Sequence, residues 1–172
     1  MTATITHQTI AVLVENKAGV LARVADLFAR RGYNILSLVV APTRDHRFSR
    51  ITIVVDSETS SIDQVVKQLF KLINVVEIQE LSAETSIERE LLIATVEVPV
   101  DRKAELSQIV DEYYGKVLSD AEGQLTISIE AGPNKIQEFE DLIEQFKVVY
   151  LQRSGRIALP KIGRSIPKHT AN

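Results

Sequence analysis

The chain has no cysteine. That absence excludes disulfides, thiolate metal sites and a cysteine nucleophile together. It fits a reducing cytoplasm, where we expect the protein to reside. An excess of positive charge is also missing. With a net charge of −3, no broad basic surface points to nucleic acid or to an anionic membrane. Long apolar runs are missing as well. The longest are strand-sized, as in Leu38–Ala41, and none approaches a membrane span. The opening MTATITHQT has no basic start followed by an apolar run, so no signal peptide is expected.

What is present is an ordinary globular mixture, 45% hydrophobic and 25% charged, over 172 residues. That length suits two small domains better than one. One pattern occurs twice. Thr9–Val14 is short and β-branched and ends at the polar turn Glu15-Asn16-Lys17, which predicts a strand. Gly19–Arg31 places Val20, Val24, Leu27 and Phe28 on one helical face, widened by Leu21 and Ala25. Arg30 and Arg31 suit the negative end of that helix, and Gly32 suits the left-handed position after it. Asn34–Ala41 is a second strand, Asp45-His46-Arg47 a hairpin connection, and Ser49–Asp56 a third strand, apolar enough to be central. Ser60 and Ser61 are candidate caps for a helix facing inward through Ile62, Val65, Val66, Leu69, Phe70 and Ile73. Val75–Leu81 closes a βαββαβ unit.

Ala83-Glu84-Thr85-Ser86 is a short polar break, and the order then repeats. Glu90–Val98 is a strand ended by Pro99. Asp101 is a candidate cap for a helix carrying Leu106, Ile109, Val110 and Tyr113. Gly115 occupies the place of Gly32. Lys116–Asp120 and Leu125–Ala131 flank the turn signal Glu122-Gly123, and the second of them alternates strictly, which predicts one wet face. Pro133 opens a helix with Ile136, Phe139, Leu142, Ile143 and Phe146 inward, and Val148–Gln152 closes the unit. The predicted division is 1–83, 84–159 and a basic tail, 160–172, that frays at its end. Right-handed crossovers give each unit an open sheet of strand order 2-3-1-4 with both helices on one face, an α+β fold. The second strand is then an edge. From Asn34 to Pro42 it carries no charge, and an apolar edge of that kind calls for a covering partner. Two copies pairing along it would supply one.

Catalytic chemistry is hard to find. His7, His46 and His169 fall near a terminus, in a hairpin and in the tail, with no second ligand at metal-binding spacing, and they read as solvated. No serine sits in a nucleophile elbow, and there is no glycine-rich phosphate loop. Glu15 and Glu97 read as exposed strand-end charges. One segment does resemble a site. Glu15-Asn16-Lys17-Ala18-Gly19-Val20-Leu21 leads into the first helix, where Gly19 permits close backbone approach and the amides of Ala18–Leu21 have no helical partner. Such a helix start suits a carboxylate, with Asn16 and Asn34 as neutral hydrogen-bonding groups. The same residues also read as a helix cap and a turn glycine.

Val12–Val24, containing Glu15-Asn16-Lys17-Ala18-Gly19-Val20-Leu21, resembles the opening of an ACT domain. Together with Arg31-Gly32-Tyr33-Asn34-Ile35, Ser49-Arg50-Ile51-Thr52 and the late Arg153-Ser154-Gly155, it resembles the small regulatory subunit of acetolactate synthase. Where that family continues the late segment with a serine-arginine-glycine run, this chain has Pro160-Lys161-Ile162-Gly163-Arg164. The resemblance implies two ferredoxin-like βαββαβ domains, the first an ACT domain. It implies a subunit that catalyses nothing itself and holds no cofactor or metal. The partner is a large subunit carrying thiamin diphosphate, FAD and magnesium, which condenses pyruvate to acetolactate. The small subunit raises that activity and confers feedback by a branched-chain amino acid, with valine the first expectation. The effector would lie at an ACT homodimer interface, against Asn16, Ala18, Gly19, Val20 and Leu21 of one chain and Asn34 and Ile35 of the other. The second half replaces this loop with the charged Val100–Glu105, which points to subunit contact instead.

Three other readings compete. A different ACT sensor would leave the whole-chain resemblance unexplained. An RNA-recognition module stacks bases on aromatics of its central strands, and Thr9–Val14 and Ser49–Asp56 contain none. A small ferredoxin-like enzyme would need a catalytic motif, which the sequence does not offer.

Overall fold

The computed structural model describes residues 7–56 and 61–170. The first six elements are β1 (His7–Glu15), α1 (Val20–Arg30), β2 (Ile35–Pro42), β3 (Phe48–Asp56), α2 (Ile62–Leu69) and β4 (Val75–Leu81). They continue as β5 (Ser86–Glu97), a 3-10 turn at Val100–Arg102, α3 (Lys103–Glu112), β6 (Lys116–Ala121), β7 (Gln124–Ala131), α4 (Pro133–Ile143), β8 (Lys147–Arg153), β9 (Ile157–Pro160) and β10 (Lys168–Thr170). Two compact units result, Met1–Ile87 with Arg156–Asn172, and Glu88–Gly155.

In the first unit β1 pairs antiparallel with β3 on one side and β4 on the other. The order is β10-β4-β1-β3-β2. Alternation decides the faces: Ile10, Val12 and Val14 of β1 and Ile51, Ile53 and Val55 of β3 join Val24 and Phe28 of α1 and Val65 and Leu69 of α2 in one core. The second unit repeats the order as β6-β7-β5-β8. Leu92, Ala94 and Val96 meet Leu125, Ile127 and Ile129 beneath Leu106, Val110, Ile136 and Phe139. The predicted strand order is present in both. The repeat extends to irregularities. Register shifts fall at Leu13/Val14 and at Thr95/Val96 in the first strands, and at Ile35/Ser37 and Val117/Ser119 in the second strands.

The structure departs from the sequence reading in several places. α2 stops at Leu69, so Ile73, expected inward, is 91% exposed. Leu142 also lies largely at the surface. Ser60 lies outside the described residues, and Ser61 precedes α2 without a side-chain cap bond. Asp101 falls inside the 3-10 turn, leaving Arg102 before α3. Gly115 does not repeat Gly32. Gly32 is left-handed at φ +69°, whereas in the second unit Tyr114 takes that conformation at φ +55°. A Cβ on Gly115 would lie 2.7 Å from Ile129 Cγ2 and 2.8 Å from the Ser128 carbonyl, so there glycine is needed for close approach.

The tail is not a loose end as far as Thr170. Arg156–Asn172 belongs to the first unit, and the boundary between the units falls at Ile87/Glu88, inside β5 and four residues beyond Ala83. Ala158 and Ile166 cover Ala11 and Leu81 on the sheet face opposite the helices. β10 pairs with the outer side of β4. His169, read as solvated, contacts Glu80 Oε1 at 2.7 Å and meets the Phe70 ring edge-on. The physical reason is that Ala11 and Leu81 form an apolar patch and β4 an open edge, and both are covered by chain that lies ~75 or more residues away in sequence, beyond any local pattern.

Candidate functional site

The loop from β1 to α1 is built by three outside contacts. The backbone N–H of Asn16 donates to the Arg47 carbonyl at 2.7 Å, and its side-chain amide donates to the His46 carbonyl at 2.9 Å. Asn16 therefore ties the loop to the β2–β3 hairpin and does not cap the helix. The third contact is Asn74, buried in the turn before β4. Its carbonyl accepts the Glu15 N–H at 2.9 Å, its Nδ2 donates to Glu15 Oε2 at 2.5 Å, and its Oδ1 accepts from Arg23 Nη1 at 2.9 Å. Asn74 donating, with Lys17 beside it, holds the Glu15 carboxyl below its ordinary value.

Gly19 precedes α1 with φ +82°, a left-handed conformation that L side chains rarely adopt. A Cβ there would meet nothing within 4 Å, so the space beyond it is open. α1 has no side-chain cap bond and no acidic residue in its first turn. The Val20 N–H turns back to the Lys17 carbonyl at 3.3 Å, and the first helical bond runs from Arg23 to Gly19. The amides of Leu21 and Ala22 thus begin the helix without an acceptor inside it, at the positive end of its dipole. This arrangement suits a small carboxylate.

The structure brings Asn16, Ala18, Gly19, Val20 and Leu21 together in this loop, with unequal parts. Val20 turns its side chain into the core at 5% exposed, while Leu21 stays at the surface. Asn34 and Ile35 stand elsewhere. Glu15 pairs with Phe48, whereas Ile35 pairs with Val55, seven residues along the same central strand. At the usual rise per residue that is roughly 23 Å. Asn34 is exposed, its carbonyl accepting the Asp56 N–H, and Ile35 packs partly against the core. Between these ends runs the outer edge of β2, where Leu36, Leu38 and Val40 are exposed.

Glu15, Arg23 and Asn74 were not assigned roles in the loop from sequence. Arg23 and Asn74 lie 51 positions apart, so no local spacing announces them. The corresponding end of the second unit differs. A cavity of about 530 Å³ lies there beside Val98, Pro99 and Phe146. Its cations are already matched: Arg102 stacks on Phe146 at 4.3 Å and bonds Glu105, and Lys147 pairs with Glu97. Among the described residues, no group of three or more acidic or histidine side chains is placed to hold a metal ion.

Comparison with known proteins adds the following. Residues 10–77 match the family model described as the AHAS small subunit-like ACT domain, and residues 89–162 match the one described as the small subunit of acetolactate synthase. A protein of Archaeoglobus fulgidus named a probable acetolactate synthase small subunit is 40% identical, over 88% of this chain and 94% of its own. The acetolactate synthase small subunit of Mycolicibacterium smegmatis is 39% identical, over 94% of each chain. The crystal structure of the acetolactate synthase small subunit from Thermotoga maritima superposes with a TM-score of 0.84 at 32% identity, covering 93% of this chain and all of that one.

Proposed function

Because the chain belongs to the acetolactate synthase small-subunit family, we propose that it is the regulatory partner of a catalytic large subunit, raising its activity and making it sensitive to a branched-chain amino acid. Thiamin diphosphate, FAD and magnesium then reside on the large subunit, and this chain contributes regulation.

The observation that carries the effector reading is the separation of the two halves of the site. Within one chain the loop Asn16–Leu21 and the pair Asn34–Ile35 stand at opposite ends of the sheet. An antiparallel two-fold pairing along β2 reverses one strand against its copy. The start of one β2 then lies near the end of the other, toward the partner's loop. The uncharged, exposed edge favours such pairing. In the resulting site the helix-start amides and the Gly19 turn meet the carboxylate. Asn34 of the second chain supplies a neutral polar group for the ammonium. Leu21 and the apolar edge receive the branched side chain.

The test is calorimetric titration with valine, leucine and isoleucine in parallel, followed by assay of the large subunit with and without this protein and the tightest binder. Binding of at least one, with activation that the amino acid reverses, is the expected result. An assay in which this protein leaves the large subunit unchanged sinks the reading.

A further inference from the structure

The Ser37 hydroxyl joins the edge strand β2 to the tail. Its Oγ accepts the backbone N–H of Arg156 at 2.8 Å across 119 positions of sequence. Arg156 is the first residue after the second unit, which ends at Gly155. Gly155 takes φ +82°, so the chain turns sharply there. The Arg156 guanidinium also reaches Thr9 Oγ1 of β1 at 3.4 Å. From this point the tail crosses the sheet face opposite the helices. Ala158 and Ile166 pack on Ala11 and Leu81. Lys161 Nζ donates to the carbonyls of Ala83 and Glu84. The Glu80 N–H donates to the Pro167 carbonyl, and β10 completes the far edge. The tail is therefore anchored at both margins of the first sheet, at Ser37 on one and along β4 on the other.

Ser37 stands one residue from Leu36, where the pairing of β2 with β3 slips between Ile35 and Ser37. A bulge is a place where a strand changes direction with only one paired position disturbed. On one side of this bulge are Asn34 and Ile35. On the other side is the hydrogen bond to Arg156, whose chain leads directly back into the second unit. We propose that Ser37 is a coupling residue. Occupancy of the effector site at Asn34–Ile35 shifts the strand at the Leu36 bulge, and the Ser37–Arg156 bond passes that shift to the segment that leaves the second unit. The inference rests on the effector reading above. It assigns to Ser37 transmission of the signal, with no part in binding. Loss of coupling with binding retained is the signature of such a residue.

The experiment compares the unmodified protein, Ser37→Ala and Ser37→Thr, each reconstituted with the catalytic subunit. Two quantities are read: the valine Kd by calorimetry and the valine concentration that halves activity. Ser37→Ala should bind valine within about twofold of the unmodified protein and activate normally without it. Its half-inhibiting concentration should rise about tenfold, the size of an ordinary allosteric coupling. Ser37→Thr keeps a hydroxyl and should restore inhibition. Ser37→Ala inhibited at the unmodified concentration overturns the inference. So does a Ser37→Ala protein that loses binding and inhibition together, since Ser37 then belongs to the site itself. If the unmodified protein binds none of the three branched-chain amino acids, the effector reading falls first, and the coupling role falls with it.

Discussion

Arg23 of α1 donates to the side-chain carbonyl of Asn74 at 2.9 Å, and Asn74 is 8% exposed. Through its other side-chain atoms and its backbone, Asn74 also holds Glu15. One buried amide thus sets the distance between the end of β1 and the start of α1, the two supports of the Asn16–Leu21 loop. Asn74→Ala removes it and leaves the half-buried Glu15 and the exposed Arg23 without those bonds, at about 0.5–1.5 kcal/mol, the net worth of an ordinary hydrogen bond. The expected result is a lower urea midpoint and weaker amino-acid binding by calorimetry, with activation of the large subunit less affected. Unchanged affinity would show that the loop holds its shape without Asn74.

Gly19→Asp should abolish feedback and leave activation largely intact. The open space beyond Gly19 has room for the side chain, but its carboxylate would face the ligand's own. Such a like-charge repulsion is on the order of 1–4 kcal/mol in a partly desolvated site. The positive φ adds strain for any side chain. Valine sensitivity retained in the Gly19→Asp protein would remove this loop from the site.

Leu38→Lys tests the edge. Leu38 lies opposite Ile53 on β2, and its side chain is 36% exposed. A charge there opposes pairing of two apolar edges, so dimerisation and effector binding should weaken together. Sedimentation at several concentrations, with titration of the same samples, separates the outcomes. A dimer of unchanged affinity that still binds valine would place the interface elsewhere.

Gly115→Ala should destabilise the second unit by about 1–3 kcal/mol, the usual cost of forcing atoms into a packed core. The added methyl would press on Ile129, Ser128 and Val110. Gly123→Ala has open space around it and only its φ of +76° against it, so it should cost less. Thermal unfolding of both variants gives the comparison, and equal losses would contradict it.

Asp45 provides a pH-dependent element. Hydrogen bonds from the Arg47 side chain and backbone hold its carboxyl down to about 2, from 3.8. A depressed carboxylate contributes stability that is fully present above its unfolded value. That contribution is lost as pH falls from about 3.8 through about 2. The hairpin that bonds Asn16 should therefore keep its shape until strongly acid solution. An NMR titration of the Asp45 carboxyl with a midpoint near 4 would disprove it.

The repeated βαββαβ order, the strand order in both sheets, the inward faces of α1 and α3 and the edge position of β2 are all readable from periodicity and turn residues. These are short-range signals, and chirality converts them to topology. The Asn16–Leu21 loop was legible for the same reason, since its glycine and its helix start are adjacent in sequence. The sequence also ties the chain to its family, because the motifs carrying the resemblance are contiguous.

Tertiary structure decided what depends on distant partners. Val20 and Leu21 are both apolar and neighbouring, yet only the helix phase against β1 and β3 sends Val20 into the core and leaves Leu21 outside. Asn16 has a cap's chemistry, but the hairpin carbonyl of His46 claims its amide. Asn74 and His169 carry no local signal in the sequence, and Arg153 enters it only as part of a family motif. Their roles arise only when the fold brings Glu15, Glu90 and Glu80 against them. The tail reads as a basic, proline-containing end, and is ordered because Ala11, Leu81 and the open side of β4 leave apolar surface and unpaired backbone to be covered. Local sequence fixes dihedral preference and periodicity. Burial and hydrogen-bond pairing between residues tens of positions apart are properties of the assembled sheet, and they determine which of the equivalent-looking residues perform a function.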